Sequence, residues 1–164
     1  MVSKIVVTFL SVLTVAALAL VPLQIVAQSG SSQLDAPKLR ESITNLGYEV
    51  KDLATEKGKE KYEFKVTKGG LDIYLGAELS GSKNYIWLTA YLGKSTDLKD
   101  FKDRAADMLL ENSKIQPCQF YVTDKSSINL AIAIDNRGVD AVVMKRCVDK
   151  LGDDVVKTQK LWQQ

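Results

Sequence analysis

A chain of 164 residues with 46% hydrophobic and 26% charged side chains has the make-up of one ordinary folded domain. Its net charge is +2, with the charges mixed along the chain and no basic block, which argues against nucleic-acid partners and electrostatic membrane adhesion. Histidine is absent, so the commonest general base and the commonest zinc ligand are both missing.

The first segment is an address. Lys4 is its only charge; an apolar run from Ile5 to Val21 follows, then Pro22, then Ile25-Val26-Ala27 before polar Gln28. A basic start, an apolar stretch and a small residue at the cut describe a secretory signal peptide over residues 1–27, with cleavage near Ala27. The stretch is long enough to span a bilayer if it were kept as an anchor, but Pro22, Gln24 and Ala27 favour cleavage. No cysteine sits at the cut, so a lipoprotein anchor is not supported. The expected location is secreted or periplasmic, with no membrane attachment after cleavage. The remaining chain, of about 137 residues and charge +1, is large enough to bury roughly two-thirds of its unfolded surface.

Residues 28–34 are Ser/Gly/Gln-rich and read as a flexible linker, leaving 35–164 as a single domain. A first helix is predicted with Asp35 as N-cap, Pro37 in its first turn and Leu39, Ile43 and Leu46 as one stripe, ending at Gly47. Tyr48 to Leu53 is a short candidate strand, followed by a charged turn from Thr55 to Lys61 that reads as a solvated hairpin tip.

The central signal is a three-strand antiparallel meander. Tyr62, Phe64 and Val66 alternate with polar residues; after Gly69-Gly70, Leu71, Ile73, Leu75, Ala77 and Leu79 do the same; after residues 80–84, so do Ile86, Leu88, Ala90 and Leu92. Gly93 ends it. A second helix is expected from Leu98 to Asn112, capped within Ser95-Thr96-Asp97, with Phe101, Ala105, Met108 and Leu109 on one face.

Two more strands follow, carrying Phe120 and Val122, then Ile128, Leu130, Ile132 and Ile134. Asp135-Asn136-Arg137-Gly138 breaks the run as a turn; it lacks the spaced acids of a calcium loop. A third helix carries Val139, Val142, Val143, Cys147 and Leu151. Gly152 is expected to interrupt it, with Asp153-Asp154 opening a last helix that ends in Leu161-Trp162. The predicted fold class is therefore α+β: an antiparallel five-stranded sheet, with room for a sixth short edge strand, packed by helices on one face in the order α-β-β-β-α-β-β-α.

That order resembles the type III secretion chaperone-like fold, and more closely its YbjN-like branch. Leu46-Gly47-Tyr48 leaving the first helix, Leu109-Leu110-Glu111-Asn112 with Phe120 at the second helix-to-strand junction, and Leu130 to Ile134 with the closing Leu161-Trp162 carry the resemblance over about residues 34–162. It implies a small non-enzymatic protein, without catalytic residues or cofactor. Several members of the fold are dimeric chaperones that hold part of a partner chain on their sheet and helices. The leader sets this chain apart from secretion chaperones, which work in the cytoplasm, so their effector clients do not carry over.

Two features stand beside the resemblance. Cys118 and Cys147 form an even pair in a chain expected to meet an oxidising compartment. That favours a disulfide contributing roughly 3–4 kcal/mol by chain entropy, with two separate buried thiols as the alternative. On the sheet face opposite the aliphatic one, Tyr74, Tyr85, Trp87, Tyr91 and Tyr121 stand among the small residues Gly76, Ala131 and Ala133. This surface suits an extended peptide or a second copy, with Trp87 and the tyrosines as anchors, unless the segment with Trp162 folds over it. Asp72 and Glu78 lie about 20 Å apart along one strand, too distant for paired acid–base work, and the sequence contains no phosphate loop, nucleophile elbow or metal cluster.

The reading is an exported, non-enzymatic, chaperone-like module that binds a protein or peptide client and forms homodimers. The alternatives are a small-ligand carrier or structural envelope protein of cystatin-like or nuclear-transport-factor-like α+β fold, and behind them an exported enzyme.

Overall fold

A computed structural model describes residues 33–163. The expected leader and most of the expected linker lie outside the described residues. The elements are α1 (Ala36–Asn45), β1 (Val50–Ala54), β2 (Lys61–Lys68), β3 (Leu71–Leu79), β4 (Tyr85–Lys94), a 3-10 turn (Ser95–Asp97), α2 (Phe101–Glu111), β5 (Gln119–Val122), β6 (Ser127–Asp135), α3 (Ala141–Lys157) and α4 (Gln159–Trp162). The strands form one antiparallel sheet in the order β1-β2-β3-β4-β6-β5. The sixth strand is present: β1 pairs with β2 at the edge.

Alternation decides the layers. Phe64, Leu75, Leu88, Leu130 and their in-register neighbours Val66, Ile73, Ile86, Ile128 and Ile132 are buried on one face. Helix α3 lies across β2, β4 and β6 on that face, and α1 packs on β1, β3 and α3. Leu39 and Ile43, one turn apart on α1, and Met144, Val148, Leu151 and Val155 on α3 complete the core. Asp35 caps α1 by accepting the Lys38 N–H at 2.9 Å, and Asp140 caps α3 by accepting that of Val143 at 2.7 Å. Between β2 and β3, Gly69 and Gly70 both carry positive φ (+56° and +78°), the backbone that a two-residue hairpin requires.

Several expectations are corrected. Gly152 does not interrupt α3, which runs on to Lys157. Its missing Cβ instead lets the helix approach β2, since a Cβ there would stand 3.3 Å from Lys68 Cδ and 3.7 Å from Val66 Cγ1. Asp154, expected near a helix start, is consequently buried mid-helix and paired with Lys150. Helix α2 begins at Phe101 rather than Leu98, and Asp100, in left-handed backbone with no side-chain cap bond, precedes it. Of its expected apolar face, Met108 is buried while Leu109 is 68% exposed, as is Leu110, because α2 packs mainly on α4 at the border of the fold. Leu34, the last residue of the expected linker, is held through its backbone by Asn136.

Candidate functional site

The face of the sheet away from the helices carries the five aromatic residues singled out from the sequence. Tyr74 and Tyr91 are 56% and 58% exposed, Tyr85 and Tyr121 are exposed, and Trp87 is half-buried. The strand register shows which of them meet. Tyr91 and Tyr121 lie in one cross-strand row on either side of Asn129. The next row runs Glu63, Gly76, Thr89, Ala131, Gln119. Trp87 lies in the row after, between Glu78 and Ala133, and Tyr85 lies opposite Asp135 beyond it. Trp87 and Tyr91 are four residues apart on β4, about 13 Å along the strand, so the rings form no single cluster.

What lies between them is a floor of small side chains, Gly76 and Thr89, with Ala131 in the same row but fully buried. Over this floor is a trough of about 450 Å³ bordered by Tyr91, Tyr121, Leu53 and the 123–127 loop. Trp162 does not cover it; its indole N–H donates to Val155 O at 3.2 Å on the helix side. Asn129 is buried in the floor and donates to the carbonyl of Ser127 at 3.1 Å.

The charges around this face are compensated. Lys61 meets Glu78 at 2.6 Å, Lys65 meets Asp72 at 3.0 Å, and Arg137 meets Asp135 at 2.6 Å. Hydrogen bonds from Thr67 and then Lys65 hold the Asp72 carboxyl below its ordinary range. The Arg137 side chain and backbone N–H hold Asp135 at about 2. Asp72 and Asp135 are therefore firmly ionised at neutral pH, the opposite of what a general acid needs. Among the described residues no group of three His, Cys, Asp or Glu side chains is placed to hold a metal.

Both cysteines are free thiols, so the disulfide expected from their even number is not formed here. Burial, with the Asp154 carboxylate second, pushes the pKa of the buried Cys118 thiol up to about 12. Half-buried Cys147 is raised as well, by desolvation. Neither has the lowered pKa of a reactive thiol.

The order of elements, the antiparallel sheet and the helices on one face can be set beside solved structures. A chain of the heterodimeric ExoU–SpcU complex from the type III secretion system of Pseudomonas aeruginosa superposes with a TM-score of 0.53 at 14% identity, covering 76% of this chain and 98% of that one. This is the type III secretion chaperone-like fold. Weaker similarities are to the HopA1–SchA chaperone–effector complex (TM-score 0.49, 12% identity, 76% of this chain and 89% of that one) and to the Yersinia pestis type III secretion chaperone SycH bound to a fragment of YscM2 (0.44, 15%, 73% and 94%). No protein-family model matches the sequence, and no curated protein sequence does.

Proposed function

We propose that this chain is an exported, non-enzymatic binding module of chaperone-like fold, and that it holds an extended segment of a protein client along the trough of its open sheet face. The observation that carries this is the floor of Gly76 and Thr89, low enough for a peptide backbone to lie on, with exposed Tyr91 and Tyr121 in the row on one side and half-buried Trp87 in the row on the other. Exposed rings on either side of a flat floor supply large contact area at little entropic cost. Export rests on the leader over residues 1–27. A homodimer is part of the same proposal, supported by Leu109 and Leu110, whose exposure on α2 leaves an apolar surface suited to a second copy.

The trough can be filled without disturbing the fold. A Cβ on Gly76 would stand 3.6 Å from Thr89 O, an ordinary contact, in backbone without positive φ. Gly76→Val should therefore fold normally yet lose at least about tenfold in affinity for immobilised extended peptides rich in apolar residues. Trp87→Ala should lose a similar factor. Parental binding by both variants, measured on a peptide array and confirmed by anisotropy, would remove the trough from consideration. Sedimentation of Leu109→Lys against the parent tests the dimer.

A further inference from the structure

Strands β3 and β4 pair from Leu79↔Ile86 to Leu75↔Ala90 and no further. Beyond that point Leu71–Tyr74 continue on β2 alone, and Tyr91–Lys94 on β6 alone. Two features accompany the parting of the strands. The β2–β3 hairpin is drawn to α3, where Lys68 Nζ donates to Asp153 at 2.7 Å and to the Asp149 carbonyl at 3.3 Å. On the other side β4 bulges between Tyr91 and Gly93, with Gly93 at φ +129°. The strand edges that turn toward each other across the seam thus make no ladder, and such edges invite pairing with another backbone. The opening, about 540 Å³, reaches from Tyr74 and Tyr91 on the open face to Leu92, Val155 and Trp162 on the helix side.

The chain itself shows what this seam accepts. After α3 ends at Thr158, whose hydroxyl donates back to Asp154 O at 2.7 Å, α4 makes one turn and lays Trp162 into the seam. Gln163 then continues in extended backbone (φ −86°, ψ 150°). From α2, Arg104 donates to Gln163 O at 2.5 Å and to Leu161 O at 3.5 Å. Beyond these bonds and the indole bond from Trp162 to Val155 O, the hold is slight: Leu161 and Trp162 are only half-buried, and a single helical turn has little stability of its own.

We infer that the seam between β3 and β4 is a docking site for an extended client segment with a bulky aromatic anchor, and that Leu161–Gln163 is its built-in competitor. The inference deepens the peptide-binding reading above and rests on it. The segment already in place has the required chemistry, an apolar-aromatic pair followed by extended backbone, and it stands at the inner end of an opening whose outer mouth joins the trough. A segment that occupies the seam nine-tenths or more of the time lowers the apparent affinity of any competitor by about tenfold or more. Arg104 sets that occupancy from outside the seam.

The probe is a fluorescently labelled synthetic peptide of residues 158–164, read by anisotropy against the full chain and its full-length Arg104→Ala and Trp162→Ala variants. Both variants should bind the peptide at least tenfold more tightly than the parent, and a Trp162→Ala version of the peptide should lose that gain. Arg104→Ala leaves the core untouched, so it carries the test if Trp162→Ala folds poorly. Equal binding by parent and Arg104→Ala overturns the inference, as does a gain that survives removal of the peptide's tryptophan. Variants that dimerise on release of the segment, without taking up peptide, assign the seam to a second copy and overturn the client. Trp87 lies outside the seam: if Trp87→Ala abolishes client peptide binding while release of Arg104 changes nothing, the trough stands and the seam falls.

Discussion

Asn136 holds Leu34 by both of its backbone polar groups, 102 positions away in the chain. Its Oδ1 accepts the Leu34 N–H at 3.0 Å, and its Nδ2 donates to the Leu34 carbonyl at 2.9 Å and to that of Lys83 at 2.8 Å. The Asn136 backbone N–H in turn donates to Asn84 O at 2.8 Å. One fully buried side chain thus ties the entry to α1, the β3–β4 turn and the end of β6 into a single corner.

Asn136→Ala is expected to destabilise the protein by about 2–3 kcal/mol, because it leaves part-buried donors and acceptors unmet. Asn136→Asp should also be costly, since a carboxylate cannot donate to the Leu34 and Lys83 carbonyls. Urea unfolding checks both; a midpoint equal to that of the parent would show that the corner is not under tension from these bonds.

Gly69 faces α3 at close range. A Cβ there would stand 2.7 Å from Val156 Cγ1, in backbone with φ +56°. Gly69→Ala should cost about 1–3 kcal/mol through overpacking and the left-handed backbone together. Adding Val156→Ala should return part of that loss in a double-mutant cycle, because the clash is with that side chain. Simple additivity of the two changes in thermal or urea unfolding would refute the contact.

The two thiols should react in sequence. At pH 8 a pKa of about 12 leaves roughly one Cys118 in ten thousand as thiolate, and the residue is buried. An aromatic disulfide reagent should therefore titrate Cys147 slowly in the native protein and Cys118 only after unfolding. Intact mass after alkylation in denaturant without reductant should show both thiols modified.

Cys118 also makes stability depend on alkaline pH. Its thiol is protonated in the fold and loses its proton near the ordinary value when unfolded. The contribution is whole below about pH 8 and declines as pH rises toward 12, by roughly 1.5–2 kcal/mol at pH 10. Cys118→Ala should flatten that part of the pH profile in urea melts between pH 8 and 10.5.

Asp135 is expected to titrate at about 2, because the Arg137 side chain and backbone N–H both favour its ionised form. The associated stabilisation is present above the ordinary carboxylate range and disappears as pH falls through about 2. Carbon-detected NMR titration should show the Asp135 carboxyl moving back up in Arg137→Ala, with only part of the shift recovered because the Arg137 backbone bond remains.

Much of this fold was legible because short-range pattern and final environment agree. The alternation in β2, β3, β4 and β6 assigns every aliphatic side chain to the helix face, and Asp35 and Pro37 mark the start of α1 as the structure has it. The five rings were legible for the same reason, since a period of two assigns faces whatever the pairing. Gly152 was misread because a glycine within a helical pattern can mark either a stop or a close approach, and only β2 passing beneath it distinguishes the two. Leu109 was misread because the face a helix buries depends on where it starts and which neighbour it meets.

Local spacing in the chain was thus sufficient for the strands, the faces and the class of fold, since these follow from steric and hydrophobic periodicity over a few residues. The parting of β3 from β4 at Tyr74 and Tyr91, the seating of Trp162 in that gap, and the grip of Asn136 on Leu34 were decided in three dimensions. Each depends on groups far apart in the chain competing for the same space or the same hydrogen bond, and no local pattern encodes which of them wins.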